Sequence, residues 1–221
     1  NEDNRVHALD METGEIKWTL PTQQQKERAL LFGGVPLQYN EFIFAKMRKY
    51  GSVSTSKLIC INMDTGQEAW YKEIPASQSY NTNTNIVGEG AEFYYFVQSE
   101  NNAILCKGNV VSGQTNTALE IQLEQGYNCN DVTSNIVFHK QRKLIIAGAK
   151  ERNSLSSDDP LKDSYIYIID VANNYSIKKV LFETNIGGDK DMSIARIYYD
   201  GDRVFAACGL TTICYNLNTQ T

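Results

Sequence analysis

The side chains that could do chemistry are few, and their spacing does not assemble a reaction centre. The two histidines, His7 and His139, sit far apart in sequence. Neither lies in a His-Glu-x-x-His helix, and no Gly-x-Ser-x-Gly elbow supplies a nucleophile, so both are read as structural or surface residues. The five cysteines, at 60, 106, 129, 208 and 214, are odd in number and include no Cys-x-x-Cys pair. They are read as small core side chains rather than a disulfide framework. Gly33-Gly34 and Gly187-Gly188 precede no helix bearing Lys-Ser/Thr, so neither is a phosphate loop. The acidic groups Asp158-Asp159 and Asp189-Lys190-Asp191 have carboxylates suited to a hard cation but lack EF-hand spacing, and read as solvated charge. Lys140, Arg142 and Lys143 read as a solvated basic hairpin tip, and Asn174-Tyr175-Ser176 as a chance glycosylation sequon at a turn. We therefore expect no catalytic residue, no metal and no cofactor.

What does recur is a short pattern that builds structure. Val6 to Gly14, with the sequence Val-His-Ala-Leu-Asp-Met-Glu-Thr-Gly, is matched by Leu58 to Gly66, Leu-Ile-Cys-Ile-Asn-Met-Asp-Thr-Gly. In both, a tryptophan follows four residues past the glycine, at Trp18 and Trp70. Weaker copies centre on Asn109, Asp170 and Asn216. The Asx markers at 10, 62, 109, 170 and 216 are spaced by 52, 47, 61 and 46 residues, a period close to that of propeller blades. The long interval contains a Ser- and Asp-rich insertion over 151–163.

Apolar runs within each period are short, β-branched or aromatic, and bounded by turn residues, so they predict strands. In the second period these are Leu30 to Leu37, Phe42 to Met47, Lys57 to Asn62 and Gln67 to Ile74. Second strands recur at Phe93 to Gln98, Lys143 to Ala149 and Arg203 to Cys208. The Asx side chain can accept hydrogen bonds from amides two and three residues on, and the glycine supplies the positive φ that closes the hairpin. The expected structural set is Asp10, Thr13, Gly14 and Trp18; Asn62, Thr65, Gly66 and Trp70; Asn109 and Gly113; Asp170; and Asn216. The two tryptophans belong on outermost strands, filling the wedge between adjacent sheets.

The chain has 221 residues, 42% of them hydrophobic, enough for a sizeable core. Its net charge of −5 gives no footprint for a phosphate backbone, so nucleic acid is not an expected partner. No apolar run approaches the roughly 18 residues of a membrane span.

The segments Ala-Leu-Asp-Met-Glu-Thr-Gly-Glu-Ile-Lys-Trp (8–18) and Ile-Asn-Met-Asp-Thr-Gly-Gln-Glu-Ala-Trp (61–70) resemble the repeat of PQQ-like, or quinoprotein-type, β-propellers. That family includes BamB-type outer-membrane assembly lipoproteins and true quinoprotein dehydrogenases. The resemblance implies an all-β propeller of four-stranded antiparallel blades in a single domain. Its units are expected at about 1–20 (partial), 28–74, 84–123, 131–183 and 192–221 (partial). About four to five blades are expected, as a portion of a larger seven- or eight-bladed propeller. The dehydrogenases use adjacent cysteines, a tryptophan floor and a calcium site, none of which can be placed here. The resemblance thus implies the fold without the oxidation chemistry.

In such blades the first-to-second and third-to-fourth turns share one face, and longer segments gather on the other, where recognition resides. Candidates on that second face are Tyr50, Tyr80 and Tyr127, with Asp158, Asp159, Asp163, Asp189 and Asp191; solvated loops are the plainer reading of the same residues. The expected function is a non-catalytic scaffold for a protein or peptide partner. The resemblance places it outside the cytoplasm, in the periplasm or attached to the outer membrane. The alternatives are a fragment of a quinoprotein-type oxidoreductase or a glycan-binding propeller.

Overall fold

A computed structural model describes residues 6–20, 30–32, 36–49, 55–74, 86–99, 102–122, 127–128, 136–150, 152–153, 164–181, 194–208 and 211–221. The protein is an all-β propeller whose described residues form five successive antiparallel sheets, called here blades one to five. Blade one pairs β1 (Val6–Leu9) with β2 (Ile16–Leu20). Blade two has a first strand in two pieces, β3 (Leu30–Phe32) and β4 (Leu37–Tyr39), both on β5 (Phe42–Lys49), followed by β6 (Thr55–Asn62) and β7 (Glu68–Ile74). Blade three runs β8 (Val87–Glu89), β9 (Glu92–Ser99), β10 (Asn102–Asn109) and β11 (Thr115–Gln122). A short pair, β12 (Tyr127–Asn128) and β15 (Arg152–Asn153), lies outside the blades. Blade four runs β13 (Ile136–His139), β14 (Leu144–Lys150), β16 (Ser164–Asp170) and β17 (Ser176–Leu181). Blade five contributes β18 (Ile194–Asp200), β19 (Arg203–Cys208) and β20 (Thr211–Asn216).

The strands follow the predicted runs closely, with one correction. The first strand of blade two, expected as one run from Leu30 to Leu37, is described as two pieces whose pairings with β5 differ in register by two residues, and the second piece extends to Tyr39.

Strand alternation sends successive side chains to opposite neighbours, which makes the core a set of wedges between blades. On β6, Leu58 and Cys60 pack toward blade three with Phe44, Phe93, Tyr95 and Val97, while Ile59 and Ile61 pack toward blade one with Leu20 and Trp18. On β16, Tyr165, Tyr167 and Ile169 join Tyr94, Phe96 and Leu105 of blade three; Ile166 and Ile168 join Ile197, Val204 and Tyr215 of blade five. Inner strands β8 and β13, and β13 and β18, touch one another, setting the blades side by side about their first strands. The face of blade five turned away from blade four has no neighbour among the described residues. There Tyr198 stacks on Phe205 at 5.3 Å and remains 59% exposed.

The cysteine expectation needs a correction on the same ground. Cys60 is buried and Cys106 half-buried, but Cys214 is exposed on that uncovered face of blade five. The placement of Cys129 and of the Cys208 side chain lies outside the described residues.

Candidate functional site

The hairpin face is built from one turn repeated five times. Asp10 Oδ1 accepts hydrogen bonds from the Glu12 and Thr13 amides at 2.9 and 3.0 Å. Asn62 does the same for Asp64 and Thr65, Asn109 for Val111 and Ser112, Asp170 for Ala172 and Asn173, and Asn216 for Asn218 and Thr219. The fourth residue after each Asx has positive φ: Gly14 +73°, Gly66 +68°, Gly113 +68°, Asn174 +48° and Gln220 +62°. The last two lack glycine yet keep its conformation. Amides donated by Thr13 and Glu12, with Lys17 at 3.2 Å, hold the Asp10 carboxyl down at about 2.

The four turns of blades two to five are also tied to the first hairpin of their own blade. The amide following the Asx residue donates to a carbonyl there: Met63 to Glu41, Val110 to Ala91, Val171 to Lys143 and Leu217 to Asp202, at 2.8 to 3.0 Å.

The tryptophans then link one blade to the next. Trp18 Nε1 donates to the Met63 carbonyl at 2.6 Å, and its ring lies where a Cβ on Gly66 would be, 2.5 Å from Cγ. Trp70 Nε1 donates to the Val110 carbonyl at 2.7 Å, with its ring 2.7 Å from the Cβ position of Gly113. The glycine thus serves two ends: it permits the left-handed turn and leaves room for the preceding blade's indole. Trp70 also rests against Phe44 and Phe93, at 5.3 and 6.5 Å between ring centroids.

The remaining joints use other chemistry. In blade three the residue eight past the Asx is Thr117, which pairs with Cys106 and lines the cavity toward blade two, while Ala118, Leu119 and Tyr175, the last from blade four's own turn, pack against the core between blades three and four. Between blades four and five it is Lys178, whose Nζ donates to Gln220 Oε1 at 2.6 Å and lies 5.6 Å from the Tyr215 ring centroid. Strand register confirms the equivalence for Lys178 and not for Thr117, which pairs with Cys106, three residues before Asn109. Trp18, Trp70 and Lys178 pair with Ala8, Cys60 and Ile168, each two residues before its Asx.

His139, read as structural or surface, is 1% exposed, stacked 4.4 Å from Tyr199, with Nε2 2.8 Å from the Gly201 carbonyl. The Arg142 amide approaches its Nδ1, so Nε2–H is the donor and the ring bonds blade four to blade five. The basic tip is corrected from solvated turn to clasp. Arg142 pairs with Asp202 and Asn218 of blade five, and Lys143 pairs with Glu89 of blade three. Arg142 holds the Asp202 carboxyl below the usual carboxylate range. Counting positions from each Asx could have found Lys178 and Gln220 in the sequence; no local signal marks Tyr175, His139 or Arg142, whose partners lie in other blades.

Two inter-blade cavities accompany these joints. One of about 190 Å³ between blades two and three is lined by Lys72, Ile74, Tyr95, Val97, Cys106 and Thr115. The other, about 360 Å³ between blades four and five, is lined by Leu144, Ile168, Lys178, Tyr215, Leu217 and Gln220 among others. Burial pushes the Cys60 thiol up to about 11 and raises Cys106, Tyr94 and Tyr95 as well, so all four are neutral near pH 7. Among the described residues no group of three or more His, Cys, Asp or Glu side chains is arranged to hold a metal ion.

The opposite face carries the sequence-predicted binding residues. Tyr50, Tyr80, Asp158, Asp159, Asp163, Asp189 and Asp191 lie outside the described residues, as does the side chain of Tyr127. The backbone of Tyr127 falls in β12. Its pairing with β15, Tyr127 with Asn153 and Asn128 with Arg152, brings together two of the long segments expected on that face.

Solved structures with a similar fold include an acylaminoacyl peptidase in complex with Z-Gly-Gly-Phe-chloromethyl ketone: 11% identity and TM-score 0.51, over 80% of this chain and 28% of that one. The orthorhombic crystal form of the Pyrococcus horikoshii acylaminoacyl peptidase aligns at 11% and 0.50, over 81% and 28%. TolB from Acinetobacter baumannii aligns at 12% and 0.48, over 80% and 39%. The chain therefore spans little more than a quarter of the peptidase chains it matches, and at such identities the likeness is one of fold. No curated protein matches it. No helix among the described residues is long and apolar enough to cross a membrane. A family match covers residues 1–175, the stretch that holds the two tryptophan joints and the first four Asx turns, and by it the chain belongs to the outer membrane protein assembly factor BamB family.

Proposed function

We propose that this chain is a non-catalytic scaffold of the cell envelope that presents the long segments of its second face to a protein or peptide partner. The observation that carries the reading is the division of labour between the faces. At the hairpin end, amides, indoles and charged side chains are consumed in fastening blade to blade, while the β12–β15 pair draws two long segments together at the other end. A rigid frame bearing loops on one side is the arrangement from which recognition sites are made. The buried thiols and tyrosine hydroxyls are held neutral, and His139 spends its ring nitrogens on backbone groups, which leaves no activated nucleophile or base among these groups. The family's description as an outer-membrane assembly factor supports the envelope setting and a protein partner.

The test replaces residues 75–85, and separately 151–163, with short Gly-Ser turns and compares photo-crosslinking to envelope proteins with that of the wild type. The reading expects a defined crosslinked partner that is lost in at least one variant whose melting temperature is unchanged. Crosslinking retained by both variants would overturn it.

A further inference from the structure

Two sheet faces, one on blade five and one on blade one, have the pattern of a blade joint yet leave their apolar side chains exposed. The third strand of a blade shows which way each face looks. On β6, Cys60 and Leu58, two and four residues before Asn62, pack toward blade three, and Ile61 and Ile59, one and three before it, pack toward blade one. On β16 the same offsets from Asp170 send Ile168 and Ile166 toward blade five, and Ile169 and Tyr167 toward blade three. By that rule Cys214 of β20 looks onward, away from blade four, and Leu9 of β1 looks back, away from blade two.

Phe205 pairs with Cys214 as Phe44 pairs with Cys60. Phe44 and Cys60 are fully buried against blade three, with the Phe93 ring 4.0 Å from that of Phe44, whereas Cys214 is exposed and Tyr198, stacked on Phe205, is largely so. On the backward side, Ile61 is fully buried against Trp18, while Leu9 and its strand partner Ile16 are 54% and 58% exposed. Charge divides between the two faces. Arg203 holds on the onward face the place that Leu144 holds in blade four, each opposite its own Asx residue. Leu144 lies beside Leu217 and Gln220, in the turn of the following blade. The same turn places in blade one are Met11, 96% exposed, and Gly14, with Glu12 and Glu15 exposed next to them. Arg203 pairs with Asp200 at 3.2 Å, both more than half exposed, and Arg196, opposite Ala207, adds a second exposed positive charge to the onward face.

We propose that these two faces bind one another between copies of this chain, head to tail: Tyr198, Phe205 and Cys214 of one copy cover Leu9 and Ile16 of the next, and Arg203 enters between Glu12 and Glu15. The occupant is a second copy because the onward and backward faces are the two halves of a joint the chain already makes between its own blades, and because arginines on one meet carboxylates on the other. Such a contact is heterologous, so each copy keeps one face open until a ring closes or a filament grows. It uses sheet faces and not the long segments, and stands or falls separately from the scaffold reading above.

The experiment is analytical ultracentrifugation of the intact chain from about 5 to 200 μM, where a mass rising from 24.9 kDa with a dissociation constant of about 10 to 100 μM is expected. Leu9→Asp and Tyr198→Asp each spoil one face and leave the other. Each variant alone is expected to stay monomeric, and their equimolar mixture to form a dimer of one copy of each with wild-type affinity, since one joint remains intact. Ile16→Asp and Cys214→Asp are the second pair should the first not fold. Arg203→Glu should weaken association about tenfold at low salt, and Arg203→Glu/Glu12→Lys/Glu15→Lys should restore it. A wild type that is monomeric throughout the range, single variants that associate as well as wild type, a mixture that stays monomeric, or an Arg203→Glu chain of unchanged affinity would each overturn the assignment.

Discussion

Three glycines share one backbone conformation in three different surroundings, which allows the blade joint to be weighed separately from the turn. Gly14, Gly66 and Gly113 have φ of +73°, +68° and +68°. A Cβ on Gly14 meets nothing within 4 Å, whereas on Gly66 it would stand 2.5 Å from Trp18 Cγ and on Gly113 2.7 Å from the Trp70 ring. Alanine at Gly14 therefore costs only the left-handed conformation, about 1 kcal/mol once the stiffer unfolded chain is allowed for. Alanine at Gly66 costs that and more. Ordinary carbon contacts need about 3.5 to 4.0 Å, so the indole must retreat by about 1 Å, loosening its hydrogen bond to Met63 and lifting the ring from Leu20 and Ile61. The bond is worth about 1 kcal/mol and the lost packing about as much again, for a total near 3 kcal/mol. Denaturant titrations of Gly14→Ala, Gly66→Ala, Trp18→Ala and Gly66→Ala/Trp18→Ala measure these terms. The expected coupling between Gly66 and Trp18 is about 2 kcal/mol, because in the Trp18→Ala background only the conformational cost remains. Equal costs at Gly14 and Gly66, with additive effects in the double variant, would refute the reasoning.

Truncation of the second indole, Trp70→Ala, is expected to cost about 3 to 5 kcal/mol in the same assay, since the ring rests on Phe44 and Phe93 and bonds Val110; a cost below about 1 kcal/mol would show an unpacked ring. Asp10 and Asp202 have folded-state values below their unfolded ones, so their contribution is complete above about pH 4 and is lost as pH falls through the folded values, for Asp10 down to about 2. Asp10→Asn, which keeps the acceptor oxygen, should flatten the fall of unfolding free energy between about pH 4 and 2 relative to wild type; an unchanged slope would contradict the assignment. Cys214 should react with iodoacetamide in the native protein while Cys60, buried and raised to about 11, reacts only on unfolding, as peptide mapping by mass spectrometry would read.

The blade pattern was legible because its signals are local. Asp10 and Asn62 bond amides two and three residues away, and Gly14 and Gly66 turn the chain at a fixed offset, so the hairpin is written in consecutive residues. The role of Trp18 and Trp70 as wedges followed from their outer-strand position. The weaker copies showed their strands but not their joints. Asn174 and Gln220 adopt the glycine conformation without being glycine, and Lys178 occupies a tryptophan position without resembling one. Their places follow from counting residues past the Asx, but what they touch is set by the packing of one blade against the next. The inter-blade contacts of His139, read as structural or surface, and of Arg142, read as a solvated tip, had no local signal, their partners Gly201, Asp202 and Asn218 being contributed by the following blade.

The most direct test of radially adjacent blades fastened turn by turn is a ¹⁵N-edited NOESY spectrum of the indole N–H groups, of which the chain has two. The arrangement predicts cross-peaks from the Trp18 indole proton to Met63 and Gly66, and from that of Trp70 to Val110 and Gly113. Cross-peaks from each indole confined to its own hairpin would contradict it.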